Sequence, residues 1–325
     1  MYRKTTTKPK KSIRMSTPVE RIVSLLPGAT EIVCALGLGG KLVGRSHECD
    51  FPKEVEKLPI VSKPRLDPSA AARDIDKSVR TLVEQGLSVF EVDAELLQSL
   101  KPDAIVTQVQ CDVCAVSEQD VLSAVSEWVS GTPKVVSTSA SSLRAALNDI
   151  KSVARALDAE TIAHEVVTRL ENRLDELRAL TSTAESRPSV LSIEWTDPLM
   201  SSGNWMPELI DIAGGRSLLA ERDAHSPWIE WDEVREADPD VLVVSPCGFD
   251  LARATASIKD LQTAPGWDEL NAVRKQQVYA VDGHQFFHRP GPRLVESTEM
   301  LAAILQPRLS LPLAPGVEAA FRKIV

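Results

Sequence analysis

The chain has 325 residues, of which 43% are hydrophobic and 26% are charged. This length suggests two ordinary domains or one large one, and the composition excludes wholesale disorder, collagen-like repeats and a small disulfide-stapled fold. Lys and Arg number 37 against 46 Asp and Glu, which gives a net charge of −9. An acidic balance argues against nucleic acid as a partner, because phosphate backbones are bound by basic surfaces.

The first 18 residues differ from the rest of the chain. They hold six basic residues and no acidic one, and they lack the apolar stretch and cleavage site of a secretory signal. We therefore predict a disordered basic tail over 1–18 and a cytoplasmic location, with a periplasmic or transit-targeted location as the alternative. Five irregularly spaced cysteines favour a reducing compartment. No run of about 18 apolar residues occurs, so we expect no membrane insertion.

Residues 19–140 alternate short apolar strands with helices. The spacing predicts strands at 21–26, 42–45, 104–107 and 134–137, and helices from Thr30, at 94–100 and at 118–129. Alternation of this kind is typical of a mostly parallel sheet with helices on both faces. We therefore predict an N-terminal α/β lobe over 19–140.

Residues 141–187 show helical periodicity without a strand signal. Two apolar stripes follow one another, Leu143, Leu147, Ile150, Ala154 and Leu157, then Ile162, Val166, Leu170, Leu174 and Leu177. The second stripe predicts a helix of about 22 residues over 159–180, on the order of 33 Å long. These residues are predicted to link two lobes.

The alternation of strands and helices resumes at residue 188. Strands are predicted at 189–194, 241–245 and 278–281, and helices at 207–213, 231–237 and 292–305. A C-terminal α/β lobe is therefore expected over 188–306. Residues 307–325 show little periodicity and are predicted to be a tail of unknown conformation.

Four segments in this order resemble the helical-backbone (class III) branch of the periplasmic-binding-protein superfamily, and within it the vitamin B12-binding proteins. They are RIVSLLPGATEIVCALGLGGKLVG, AELLQSLKPDAIV, the long mid-chain helix and SPWIEWDEVREADPDVLVV. The resemblance covers roughly residues 20–306. It implies an α/β fold of two Rossmann-like lobes joined by a long backbone helix, with the ligand cleft between the lobes and little hinge motion.

Independent reasoning places candidate ligand contacts on the loops after the strands, since open α/β sheets bind ligands beyond the carboxyl ends of their strands. Aromatic side chains there would form flat walls for a large planar ligand, although about half of them are expected to fill the core. Two arginines would meet carboxylate, amide or phosphate groups, or else form salt bridges at a helix start. The candidates are His47, Glu48, Cys49, Gln108, Gln110, Glu194, Trp195, Trp205, Trp228, Phe249, Phe286, Arg289 and Arg293.

Cys111 and Cys114 form a CxxC motif, which by itself is a weak signal. With His47 and Cys49 they would supply four ligands for zinc or iron if the two loops meet. The alternative is that one thiol packs beneath a helix start and the other has no role.

The function predicted from these features is non-catalytic binding of a large cofactor-like ligand, a corrinoid such as cobalamin first and a ferric chelate or haem second. The chain would be a monomer, serving either as the substrate-binding component of an ABC importer or as a cytoplasmic derivative of one. The resemblance implies permease docking through Glu95 and through Asp232 or Glu233. The alternative is a cytoplasmic metal-binding or redox enzyme using the Cys/His loops, although no common catalytic motif occurs.

Overall fold

The computed structural model describes residues 18–85, 88–108, 121–122, 133–309, 311 and 313–325. The first lobe contains a four-stranded parallel sheet with the order β2-β1-β5-β6 and a separate antiparallel pair, β3 and β4. Its strands are β1 (Ile22–Ser24), β2 (Leu42–Arg45), β3 (Ser62–Pro64), β4 (Phe90–Val92), β5 (Ala104–Gln108) and β6 (Lys134–Thr138). Its helices are α1 (Pro27–Ala35), α2 (Ala72–Glu84) and α3 (Ala94–Ser99).

Two consecutive helices connect the lobes, α4 (Leu143–Ala156) and α5 (Glu160–Thr181). The Ser142 side chain accepts a hydrogen bond from the Ala145 amide and caps α4. Helix α4 packs on α1 and β6 of the first lobe, and α5 packs on α4 and on helices of the second lobe. The predicted long helix is confirmed. Nine of the ten positions in the two apolar stripes are buried, and the exception is Ile162, which is 41% exposed.

The second lobe contains a larger sheet with the order β12-β11-β10-β7-β8, and β9 pairs with β7. Strands β7, β9, β10 and β11 run parallel, whereas β8 and β12 are antiparallel to their neighbours. The strands are β7 (Ser189–Thr196), β8 (Leu199–Ser201), β9 (Arg216–Ser217), β10 (Val241–Val244), β11 (Val278–Val281) and β12 (Phe321–Lys323). The helices are α6 (Met206–Ile212), α7 (Trp231–Ala237), α8 (Leu251–Gln262), α9 (Asn271–Arg274) and α10 (Leu294–Leu305).

The structure confirms the α/β class and the two lobes, and it corrects the C-terminal tail. Residues 321–323, expected to lie in that tail, form the edge strand of the second sheet. Most of the helix expected at 118–129 lies outside the described residues. Within the described part of the chain, no helix has the length and apolar character of a membrane span.

Candidate functional site

Loops from the carboxyl ends of both sheets meet between the lobes. In the first lobe they follow β1 and β2, and in the second lobe they follow β7, β10 and β11. Contacts across the lobes come from Asp50 and Arg289 at one side, and from Arg73 and Asp197 at the other. The carboxyl-terminal edges of the two sheets, where α/β proteins bind their ligands, therefore face each other.

The lobes touch backbone to backbone at Gly28. A Cβ atom at this position would lie 2.7 Å from the carbonyl oxygen of Pro290, closer than unbonded carbon and oxygen atoms approach. One at Gly291 would lie 3.3 Å from the Gly28 oxygen. The first turn of α1 thus needs glycine because another part of the chain occupies the space of a side chain.

A buried charge cluster holds the lobes together beside this contact. The Arg289 Nη1 atom lies 3.2 Å from Glu31 Oε1 and 2.6 Å from Asp50 Oδ1. The side chains of Arg289 and Glu31 are only 4% and 2% exposed. His284 Nε2 lies 3.1 Å from the second oxygen of Asp50. Two residues of the first lobe are therefore bonded to two residues of the loop after β11.

The two carboxyl groups of this cluster titrate differently. Burial raises the pKa of Glu31 to about 7, although Arg289 and Arg293 oppose the shift. Burial would also raise the pKa of Asp50, but hydrogen bonds from His284 and Arg289 outweigh it and hold that pKa below its usual range. Asp50 is therefore the permanent counter-charge of Arg289, whereas Glu31 gains or loses its proton near neutral pH.

Arg293 lies between two aromatic rings. Its guanidinium carbon is 4.1 Å from the ring centroid of Phe51 and 4.1 Å from that of Phe286, and its Nε atom donates to Glu296 at 2.9 Å. Arg289 and Arg293 were expected to reach a ligand. The structure instead buries both in contacts within the protein, so their charges are already compensated.

The first-lobe wall of the cleft is built around His47. Its Nδ1 atom is 2.9 Å from Ser62 Oγ, and its ring centroid is 5.1 Å from that of Phe90. Burial lowers the pKa of His47 to about 4, so the imidazole is neutral at ordinary pH. The neighbouring Glu48 is half-buried, and burial raises the pKa of its carboxyl group.

The second-lobe wall carries an aromatic pair. Trp195 at the end of β7 and Phe249 after β10 meet edge to face, with ring centroids 5.3 Å apart. The Arg253 guanidinium carbon lies 3.7 Å from the Phe249 ring centroid. Glu194 accepts a hydrogen bond of 2.7 Å from Ser226, which holds its carboxylate beside this pair.

Four candidates from the sequence are buried inside the lobes, among them Phe249 and Phe286, which are 4% and 3% exposed. Cys49 is fully buried, and its sulfur atom contacts the hydroxyl groups of Thr30 and Ser46 at 3.0 and 3.1 Å. Trp205 is 6% exposed and donates to the Phe287 carbonyl oxygen at 2.7 Å. Cys49 and Trp205 were predicted to contact a ligand, whereas packing and hydrogen bonds within their own lobes bury both.

The remaining candidates are more dispersed. Gln108 ends β5 as a buried residue. Trp228 is 51% exposed, and the Arg80 guanidinium lies 5.5 Å from its ring centroid. Gln110, Cys111 and Cys114 lie outside the described residues. In the part of the chain that is described, no group of three or more His, Cys, Asp or Glu side chains is arranged to hold a metal ion.

The residues expected to dock on a permease lie on the surface. Glu95 is exposed in the first turn of α3. Asp232 is exposed in the first turn of α7 and pairs with Arg235 at 3.2 Å. Glu233, the alternative to Asp232, accepts the backbone N–H of Glu230 in a capping box.

Several site residues were missed in the sequence. Glu31, Asp50 and Phe51 stood in or beside the loops that were considered, but their partners lie more than 200 residues away. Arg73 and Asp197 form a two-bond ion pair at 2.8 and 3.0 Å across the lobes. No local spacing rule connects residues separated by 124 positions.

Comparison with known proteins agrees with this geometry. A family model described as "Periplasmic binding protein" matches residues 22–284. The chain belongs to this family. It is 26% identical over 295 residues to an uncharacterized ABC transporter substrate-binding lipoprotein, YvrC, of Bacillus subtilis, with 89% of this chain and 80% of the relative covered.

Two further matches come from related binding proteins. A vitamin B12-binding protein of Vibrio parahaemolyticus is 26% identical over 281 residues, which cover 86% of this chain and 87% of the relative. A crystal structure of a periplasmic heme binding protein from Pseudomonas aeruginosa superposes with a TM-score of 0.68 at 20% identity, covering 91% of this chain and 96% of that one. The latter likeness shows the shared fold.

Family membership confirms one prediction and overturns another. The chain is a binding protein rather than an enzyme, as expected, and nothing in the comparisons supports the metal-dependent or redox alternative. The predicted cytoplasmic location was wrong. A family of periplasmic binding proteins, with a lipoprotein among its relatives, points to a location outside the cytoplasm.

Proposed function

We propose that this protein captures a corrinoid such as cobalamin in the cleft between its lobes and delivers it to an ABC importer. The observation that carries the proposal is the pairing of two unlike walls at the facing sheet edges. One wall presents the neutral imidazole of His47, which packs on the buried Phe90, and the other presents Trp195, which meets the buried Phe249 edge to face.

His47 has the chemistry of an axial ligand for a metal in a flat macrocycle. Its Nδ1 atom is engaged with Ser62, which leaves Nε2 as the coordinating nitrogen. A neutral imidazole binds a metal without first losing a proton, and the low pKa of His47 keeps it in that form. Cobalt in a corrinoid and iron in haem both accept such a nitrogen, so the rival ligands must be tested together.

The partly exposed ring of Trp195 fits a ligand with a large apolar face. Trp195 is half-buried and its indole N–H donates to the Asp197 carbonyl oxygen at 3.1 Å, which fixes the ring. A fixed ring loses little freedom when a ligand covers it. We expect affinity of at least micromolar strength, about −8 kcal/mol.

Titration calorimetry and absorption spectra with cyano-, hydroxo- and adenosylcobalamin, haemin and a ferric siderophore test the proposal. Trp195→Leu should weaken corrinoid binding about tenfold or more, because a cleft-facing ring is lost. Trp231→Leu is the matched control, since this half-buried tryptophan stacks on Trp267 within the second lobe. Haemin or siderophore binding without corrinoid binding would refute the corrinoid assignment. Failure of all ligands at high micromolar concentration would refute the cleft as their site.

The axial role of His47 has its own readout. His47→Ala should abolish the shift of the cobalt-centred absorption bands on binding of hydroxocobalamin, because the shift requires a nitrogen at the metal. His164→Ala, an exposed position on α5, should leave the shift intact. A full shift in His47→Ala would show that another group occupies the axial position.

We propose further that Glu95 and Asp232 contact the permease. Both are exposed acidic residues, one on each lobe, in helix first turns. Glu95→Ala and Asp232→Ala should preserve ligand affinity and reduce uptake into cells or permease-containing vesicles. Glu176→Ala, an exposed carboxylate on α5, is the control. Unchanged uptake in the double variant would refute this role.

A further inference from the structure

Residues 65–84 bridge the two lobes. This segment follows β3 and contains a loop and helix α2. Its anchors on the first lobe are the partly buried Val79 and Leu82, which pack against the cluster around Val61 and Phe90. Its other end reaches the second lobe, where Ala72 and Ile75 pack into the cluster that includes Phe249. We call residues 65–84 the strap.

Polar contacts also join the strap to the second lobe. Arg73 forms its two-bond ion pair with Asp197, directly after β7. The guanidinium of Arg253 donates to the carbonyl oxygens of Pro68 and Ala70. Arg80 lies over the Trp228 ring. Three arginines thus join the strap to loops at the carboxyl edge of the second sheet.

Polar contacts of this kind break easily. The Arg73 side chain is 76% exposed, and exposed ion pairs contribute little to stability because water screens them. Only Ala72 is buried among the 13 residues of α2. Segments with few buried apolar contacts open locally while the rest of a protein stays folded.

Arg253 connects the strap to the cleft wall. The same guanidinium that holds the two strap carbonyls stacks on Phe249, which in turn contacts Trp195. A ligand that displaces Phe249 would therefore also disturb the hydrogen bonds that hold the strap. Arg253 thus contacts both the strap and the Phe249 ring.

We propose that the strap is a gate: it closes the cleft in the ligand-free protein, and it detaches from the second lobe while its Val79 and Leu82 anchor stays in place. The hinge is the first-lobe end of α2, and the latch consists of Arg73, Asp197 and Arg253. Opening of this gate admits a ligand without a large rotation of the lobes, which the packing of α5 restrains. The gate belongs to the ligand-free chain, whichever ligand the cleft binds.

Hydrogen exchange of the full ligand-free chain, followed by mass spectrometry, tests the gate. Amides of α2 should exchange faster than those of β5 and β7, and about threefold faster again in Arg73→Ala and in Arg253→Ala, with β5 and β7 unchanged. Raising the salt concentration should accelerate exchange in wild-type α2, because ions screen the latch. Lys77→Ala, an exposed α2 residue with no ion pair among the described residues, should behave as wild type.

Rescue distinguishes a latch from a general loss of stability. The double variant Arg73→Asp with Asp197→Arg should exchange like wild type, because it restores the ion pair with reversed charges. Equal exchange rates in α2 and the sheets would overturn the gate, as would equal effects of Lys77→Ala and Arg73→Ala or acceleration throughout both lobes. Since no ligand is added, a failed corrinoid titration leaves this result unaffected.

Discussion

Substitution of Arg289 by methionine should destabilise the protein severely. The arginine is 4% exposed and is bonded to Glu31, which is 2% exposed, and to Asp50. Methionine fills a similar volume but leaves Glu31 with only Arg293, 4.0 Å away, and Asp50 with only His284, 3.1 Å away. Removal of one partner from a buried ion pair costs about 3–5 kcal/mol, because the remaining charge stays out of water.

The loss should also depend on pH in a defined direction. The pKa of Glu31 is already raised to about 7 from 4.5, and without Arg289 it rises further. A carboxyl group whose pKa is raised on folding stabilises the folded state below its unfolded pKa, and this contribution is lost as pH rises through the folded pKa. Arg289→Met should therefore cost more at about pH 8 than at about pH 6.

Urea denaturation followed by tryptophan fluorescence measures this effect at both pH values. Arg308→Met is the matched control, since the Arg308 and Glu185 side chains are 87% and 85% exposed and such pairs contribute about 0–1 kcal/mol. Combining Arg289→Met with Glu31→Gln should recover part of the loss, because one uncompensated carboxylate is removed. A cost below about 1 kcal/mol, equal to that of Arg308→Met, would refute the role of the cluster in holding the lobes.

Three further outcomes are expected. Gly28→Ala should lower the free energy of unfolding by about 1–3 kcal/mol, because its methyl group would meet the Pro290 carbonyl oxygen at 2.7 Å. Gly40→Ala, where an added methyl group would meet no atom within 4 Å, should be neutral in the same denaturation assay. Equal effects of the two substitutions would contradict this. The pKa of His47 falls from 6.5 to about 4 on folding, so stability declines as pH drops through this window, and His47→Gln should flatten the pH dependence of the thermal midpoint. A variant that tracks wild type would argue against that shift. Small-angle scattering should show a radius of gyration that changes by less than about 1 Å on ligand binding, because α5 packs along α4 and the second lobe. A large compaction would contradict a rigid backbone helix.

The order of elements was readable from the sequence because it depends on local patterns. Strand β2 was predicted at its observed bounds, and the apolar stripe from Ile162 to Leu177 predicted a helix of the observed length. Helix α2 was not predicted, although Ala72, Ile75, Val79 and Leu82 recur in it at helical spacing. Strand β12 was missed because a three-residue edge strand is decided by its partner β11 rather than by its own sequence.

By itself the sequence determined the two α/β lobes, the linking helix and the loops from which a ligand site is made. These elements can be recognised because their apolar residues recur at short, regular spacings along the chain. Only the tertiary structure decided what each side chain in those loops does. Cys49 and Trp205 are buried, and Arg289 forms an ion pair with Asp50, which is 239 residues away in the chain. Such contacts depend on how the two sheets are brought edge to edge, which no local pattern specifies.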